Sequence, residues 1–157
     1  MRKRIINPDN PEVSPSNQPW LNLEALAEIE VTSEDEAHPI ESALIPSGGS
    51  GWRAIEPGQQ TVRLLFDEPQ RIRRMRLVFQ ENEQERTQQF VLRWSSDRGQ
   101  SYREIVRQQY NFSPPNTTTE LEDLTVELDG LATLELNIIP NISGGMARAS
   151  LNQLRLV

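Results

Sequence analysis

Residues 90–107 read FVLRWSSDRGQSYREIVR. Apolar and polar residues alternate on both sides of the central SSDRGQS (95–101), which predicts two strands whose side chains point to opposite faces. Within the central segment, Asp97 can accept backbone N–H bonds, and Gly99 can adopt the positive φ that ends a tight turn. The stretch therefore predicts a β-hairpin.

The same period-two alternation recurs in six other parts of the chain. These segments are 27–31, 62–66, 74–79, 126–129, 133–138 and 154–156. Turn-rich stretches such as FDEPQ, ENEQERT, SPPNTTT and PNISGG separate many of the alternating segments. Each predicted strand has one apolar and one polar face, so we expect an all-β fold: an antiparallel β-sandwich or jelly roll of about eight strands. The stretch LNLEALAE (21–28) is also compatible with a helical turn before the first strand.

The chain of 157 residues has the length of one domain preceded by an arm. Residues 1–19 hold four of the eleven prolines and few apolar side chains, which predicts a flexible Pro/Asn-rich arm. Trp20 stands where the pattern changes. We therefore expect a sandwich domain at 20–157.

Composition excludes several classes of site and partner. The chain has no cysteine and one histidine, which excludes disulfide frameworks, thiolate metal sites and multi-histidine zinc sites. A net charge of −7 is unfavourable for nucleic-acid binding. No apolar run is long enough to span a membrane, and no apolar segment follows the basic MRKR start, so we expect a cytoplasmic protein.

Four arginines lie in QRIRRMR (70–76), a pattern that can mark an anion-binding patch. Strand alternation places several of them on one outer face, where Glu104 or Glu127 of neighbouring strands could pair with them. We therefore predict a solvated, ion-paired face and no nucleic-acid partner.

The order of five segments resembles that of discoidin-like domains, the coagulation factor 5/8 type C or galactose-binding-like jelly rolls. The segments are EVTSED (30–35), Trp52 at the end of a long loop, TVRLLFDEPQRIRRMRLVF (61–79), the hairpin above and LATLELNIIPNISGGMARASLNQLRLV (131–157). Members of this family are mostly non-catalytic and bind sugars, phospholipid head groups or proteins through loops at one end of the sandwich. The resemblance implies the same fold over residues 21–157.

This resemblance favours a non-catalytic carbohydrate-binding module. Its site would lie on apical loops 33–60, 80–88, 108–119 and 140–149. The alternative is a protein–protein interaction or scaffold module of the same fold, and the sequence sets no oligomeric state. We expect no catalytic residues, since a glycosidase needs two carboxylates set at a defined separation in a cleft.

Five residues are candidates for ligand binding: His38, Trp52, Arg53, Asn111 and Phe112. Trp52 and Arg53 follow the glycine-rich SGGSG and would offer a ring face and a hydrogen-bond donor. His38 would add a polar contact, and Asn111 with Phe112 would form part of the rim. Structural roles are the alternatives: Trp52 plugging the sandwich end, a solvated His38, and a packed hairpin end at 111–112.

No metal site is predicted, although many sugar-binding members of the resembling family hold a structural calcium. Their calcium uses an acidic residue of the first long loop and a glutamate of the last strand. Here the loop ESALIPSGGSGW contains no aspartate, and Gln153 stands at the last-strand position. Glu41 alone supplies little of the oxygen shell that calcium prefers, although backbone carbonyls could hold an ion weakly.

Overall fold

The computed structural model describes residues 20–46 and 50–157. The predicted arm at 1–19 and the glycine-rich residues 47–49 lie outside this range. No helix among the described residues is long and apolar enough to cross a membrane.

Strands dominate the described chain, and every strand pairing is antiparallel. In chain order the elements are α1 (Leu23–Leu26), β1 (Ala27–Val31), α2 (Glu41–Leu44), β2 (Trp52–Arg53), β3 (Gln60–Gln80), β4 (Arg86–Ser95), β5 (Arg103–Phe112), β6 (Thr119–Ile139), β7 (Ser150–Leu151) and β8 (Gln153–Leu156). The all-β prediction is confirmed, and the helical turn at 21–28 is present as α1.

Four of the predicted strands are in fact two long ones. The turn predicted at FDEPQ is wrong, because β3 runs through it for 21 residues and pairs along most of its length with the equally long β6. The register between the two strands shifts three times between Leu65 and Arg74. Buried residues of β3 have even numbers up to Ile72 and odd numbers from Met75 onward. This change of face makes one bent strand look like two in the sequence.

The bend divides β3 and β6 between two layers. The first layer has the order β1–β3–β6–β4–β5 and uses residues 60–66 of β3. The second layer contains β8, residues 75–80 of β3 and the start of β6. The core between the layers holds many side chains with no exposed surface, among them Phe66, Phe79 and Phe90.

The bend returns both ends of β3 to the same end of the sandwich, which we call the apical end. Ser33 links its first residue to the long loop, because its hydroxyl bonds Gln60 Oε1 at 2.8 Å and accepts from the Ile55 amide at 3.2 Å. At the other end of β3, Asn152 Nδ2 donates to Gln80 Oε1 at 3.1 Å. The apical end is therefore built from loops that are distant in sequence.

The 90–107 hairpin lies at the opposite end. Asp97 Oδ1 accepts from the Ser101 amide at 2.9 Å, and Gly99 has φ +90°, as predicted. Hydrogen bonds from Ser101 and Ser95 hold the pKa of Asp97 at about 2. Arg98 in this turn donates to the carbonyl oxygens of Phe66 (2.9 Å) and Asp67 (3.2 Å), and so braces the bend of β3.

Arg98→Ala is expected to lower the free energy of unfolding by about 1–2 kcal/mol, because two carbonyls at the bend lose a charged donor. The matched control is Arg71→Ala, whose ion pair with Asp129 is largely exposed and should contribute below about 1 kcal/mol. Urea denaturation measures both. Equal losses in the two variants would contradict the bracing role.

Candidate functional site

A polar groove of about 180 Å³ lies at the apical end. It is lined by His38, Ser50, Trp52, Arg53, Gln80, Glu81, Asn82, Glu83, Ser150 and Asn152. These residues come from the long first loop, the β3–β4 turn and the segment just before β8. Three of the five sequence-predicted residues, His38, Trp52 and Arg53, meet here.

Arg53 faces the groove because Trp52 faces the core. Trp52 and Arg53 form β2, paired with Leu151 and Ser150 of β7, and successive strand residues point to opposite sides. Trp52 is 1 % exposed and donates from Nε1 to the Ser33 carbonyl at 3.0 Å. Its predicted role as a stacking platform is therefore a misreading, because the ring has no open face for a sugar.

The backbone just before β2 lies very close to the backbone at Asn152. Gly51 has φ +87°, and a Cβ at this position would stand 2.7 Å from the Asn152 Cα atom. Only glycine fits, since any side chain would displace the backbone that lines the groove.

His38 is placed beside Arg53 by the backbone. The Arg53 amide donates to the His38 carbonyl at 3.1 Å, and the Asp35 amide donates to the Arg53 carbonyl at 2.8 Å. The His38 side chain is half-buried, and its Nδ1 lies 3.8 Å from Asp35 Oδ2 without a hydrogen-bond partner among the described residues.

A buried ion pair forms the floor of the groove. Arg86 Nε donates to Glu81 Oε1 at 2.7 Å, and both side chains are at least 95 % buried. Glu81 Oε2 accepts from the amides of Glu83 (3.0 Å) and Gln84 (3.3 Å), which shapes the turn after β3. Burial by itself raises the pKa of Glu81, but these hydrogen bonds outweigh it, so the net pKa is lowered.

Arg86 also anchors the loop after β6. Its Nη1 donates to the Pro140 carbonyl at 2.8 Å. The loop then rises to the rim, where Met146 is 80 % exposed. Met146 and Arg148 line a second depression of about 200 Å³ together with Arg53 and residues of the β3–β4 turn.

Asn111 and Phe112 do not line the groove, contrary to the sequence prediction. Phe112 has no exposed surface, and the Arg86 Cζ atom lies over its ring, 4.7 Å from the ring centroid. Asn111 is exposed but bonds Thr87 Oγ1 at 2.6 Å across the β4–β5 ladder. The structural alternative, a packed hairpin end, describes these two residues.

Other groove residues lack a distinctive sequence signal. Asn82 and Glu83 belong to the polar ENEQERT turn, which lies within the predicted apical loop 80–88 but in which no residue stands out from its polar neighbours. Met146 and Arg148 follow a glycine pair within PNISGGMAR, where an exposed methionine is the one unusual feature. An apolar residue in such a polar loop is the signal that could have identified the second depression.

The long loop also contacts a buried cation of the last strand. Arg155 of β8 donates to the carbonyls of Ala43 (2.7 Å) and Ile45 (3.1 Å). Burial lowers the pKa of this guanidinium. Within 20–46 and 50–157, no three histidine or carboxylate side chains converge in a way that could hold a metal ion. The carbonyls of Ala43 and Ile45 thus accept hydrogen bonds from a buried side chain.

A series of hydrogen bonds leads from Arg86 to a buried carboxyl group, that of Glu120, beneath the groove. Arg86 Nη1 donates to Gln88 Oε1 at 3.2 Å, and Gln88 Nε2 donates to Glu120 Oε1 at 3.1 Å. Burial and the charge of Glu122 raise the pKa of Glu120 to about 7. The group is therefore protonated in the folded state at pH values where it is ionised in the unfolded chain.

Trp52→Ala is expected to lower the free energy of unfolding by about 3–5 kcal/mol, because it empties a buried site. Trp94→Ala is the control, since Trp94 is only partly buried on β4 and should cost less. Chemical denaturation followed by circular dichroism compares them. A Trp52→Ala variant as stable as the wild type would contradict the buried position.

Glu120→Gln is expected to increase the free energy of unfolding at pH 8. Because the pKa of Glu120 is raised on folding, its ionisation makes stability fall as pH rises from about 4.5 to about 7. Glutamine can still accept from Gln88 and carries no charge, so the gain at pH 8 should be about 1–3 kcal/mol.

The control for this variant is Glu104→Gln, whose surface pair with Arg107 should shift stability by less than about 1 kcal/mol. Denaturation is measured at pH 5 and pH 8. A Glu120→Gln gain that is the same at both pH values would contradict the raised pKa.

Solved structures of carbohydrate-binding modules share this fold. One is the Clostridium perfringens module CpGH89CBM32-5 in complex with GalNAc-β-1,3-galactose, with 16 % identity, a TM-score of 0.64 and coverage of 88 % of this chain and 99 % of that one. A pectin-binding module shares 17 % identity at a TM-score of 0.60, and the match covers 83 % of this chain and 89 % of that one. The CBM32 of AlyQ in complex with 4,5-unsaturated mannuronic acid shares 14 % identity at a TM-score of 0.60, and the match covers 84 % of this chain and 95 % of that one.

No protein-family model matches this sequence. No curated protein matches it in sequence either. The likeness to the solved modules therefore lies in the three-dimensional arrangement of the strands, at identities too low to carry residue roles. The protein has the discoidin-like, galactose-binding-like β-sandwich fold of these carbohydrate-binding modules.

Proposed function

We propose that this protein is a non-catalytic carbohydrate-binding module that takes its ligand in the apical groove. The observation that carries the proposal is the convergence of His38 and Arg53 with the polar side chains of two other loops on one groove of this fold. The neighbouring structures support it, since their names record binding of GalNAc-β-1,3-galactose, pectin and unsaturated mannuronic acid.

The lining of the groove suits a hydroxyl-rich ligand. Arg53, Asn82 and Asn152 offer donors in several directions, and Ser150 offers a hydroxyl. Met146 on the adjoining rim provides an exposed apolar surface for the C–H face of a sugar ring. With few contacts and an open groove, the expected dissociation constant is in the ~μM to mM range.

The carboxylates favour binding over glycoside hydrolysis. Glycosidases use two carboxyl groups that flank the scissile bond. Glu81 already accepts hydrogen bonds from Arg86 and two backbone amides, and Glu120 is buried beneath the groove. Among the described lining residues this leaves Glu83 as the one carboxylate without a bonded partner.

A protein–protein interaction module is the second candidate. Its supporting observation is β5, a ten-residue strand at the edge of the first layer, which could pair with another chain. Charged residues at its exposed positions, such as Arg103, Glu104 and Arg107, disfavour such pairing. The apical groove is also more polar than the core of a typical protein interface.

Arg53→Ala is expected to weaken sugar binding at least ten-fold, because a ligand hydroxyl or carboxylate loses a charged donor. A glycan array identifies the ligand, and titration calorimetry then measures both the wild type and the variant. Arg107→Ala on the outer face of β5 is the control and should bind like the wild type.

Three results of this experiment would count against the proposal. An array without a hit for folded protein would remove it and shift weight to the interaction module. Equal losses in Arg53→Ala and Arg107→Ala would place the ligand elsewhere. Hydrolysis of a bound glycan, abolished by Glu83→Gln, would show that the protein is an enzyme.

A further inference from the structure

We infer that the apical groove recognises an acidic oligosaccharide, with a sugar carboxylate held by Arg53 and Arg148. This inference rests on the proposed function and specifies its ligand class. The two depressions share Arg53, Glu81 and Glu83, so they adjoin, and we call the two together the cleft. Such a cleft extends beyond a single pocket and suits a chain of sugar rings.

Most arginines of the described chain already have partners. Arg63, Arg71, Arg74, Arg76, Arg86, Arg93 and Arg107 form ion pairs with carboxylates. Arg98 and Arg155 donate to backbone carbonyls, and Arg103 lies over the Trp94 ring. In 20–46 and 50–157 this leaves three arginines without such a contact, namely Arg53, Arg73 and Arg148, and two of these three line the cleft.

Unpaired guanidinium groups are unexpected here because the chain has an excess of acids. It carries 23 aspartates and glutamates against 16 lysines and arginines. Carboxylates are therefore available as partners for most arginines. Where β3 pairs with β6, for example, Arg74 and Arg76 both form ion pairs with Asp123. Two unpaired arginines in one cleft leave positive charge directed at whatever occupies it.

The acidic residues of the cleft do not cancel this charge. Glu81 is neutralised by Arg86 on the floor and receives two further amide hydrogen bonds. Glu83 remains as one carboxylate against the two guanidinium groups of Arg53 and Arg148. The cleft thus has a net positive charge on a protein with a net charge of −7.

Arginine geometry favours a carboxylate over a neutral hydroxyl. The planar guanidinium offers two parallel N–H groups that match the two oxygens of a carboxylate. Met146 is exposed and lines the same depression as Arg53 and Arg148, so it can contact the apolar face of the same ring. A uronic acid unit presents both features, a carboxylate and a C–H face.

The test is calorimetric titration with a trisaccharide of 1,4-linked galacturonate, its methyl ester and a neutral galactose trisaccharide. We expect the galacturonate to bind at least ten-fold more tightly than the ester, and its affinity to fall with added salt. Arg148→Gln should lose at least ten-fold for galacturonate and less than two-fold for the neutral trisaccharide. Arg73→Gln, the unpaired arginine outside the cleft, is the matched control and should change neither affinity.

The possible outcomes distinguish a wrong ligand class from a wrong proposed function. Equal affinity for galacturonate and its ester, or binding of the neutral trisaccharide alone, would overturn the acidic ligand and leave the carbohydrate-binding function standing. A sulfated galactose trisaccharide that binds while galacturonate does not would overturn the carboxylate in particular. Absence of binding by acidic, sulfated and neutral sugars alike would overturn both the ligand class and the proposed function.

Discussion

The buried Arg86–Glu81 ion pair is the interaction on which the apical end depends. Removing two charges from water is costly, and such a pair is tolerated only when the remaining donors and acceptors are also satisfied. Here Glu81 accepts two backbone amides of the turn after β3, and Arg86 donates to Gln88 and to the Pro140 carbonyl. One pair thereby fixes two of the loops that line the cleft, while Phe112 packs against the guanidinium from below.

The sequence predicts the fold class well because period-two alternation survives in nearly every strand. It cannot reveal that β3 and β6 are continuous, since the register shifts near Ile72 exchange the buried and exposed faces. Proline at 69 and the polar residues beside it resemble a turn, whereas in the structure they lie where the strand bends. Irregularities of this kind depend on tertiary pairing, which no local pattern contains.

The sequence predicts only some of the site residues, because tertiary packing also decides which side chains face the groove. The pair Trp52–Arg53 is recognisable beside its glycine-rich loop, but sequence alone does not say which of the two faces inward. Burial of the large apolar ring decides it, and strand alternation then turns Arg53 outward. Arg148 and Met146 join the cleft through backbone bonds of the closing loop, such as that from Gly58 to Ala147, and their spacing gives no hint of this.

We propose that one cleft at the apical end binds carbohydrate. The most direct measurement is an NMR titration of isotope-labelled protein with galactose-containing and uronate-containing oligosaccharides, followed through backbone amides and arginine side chains. Carbohydrate binding in the cleft predicts saturable shifts confined to His38, Arg53, the turn after β3 and residues 146–152, with the outer sheet face unchanged. Shifts centred on β4 and β5, or none with either class of sugar, would contradict it.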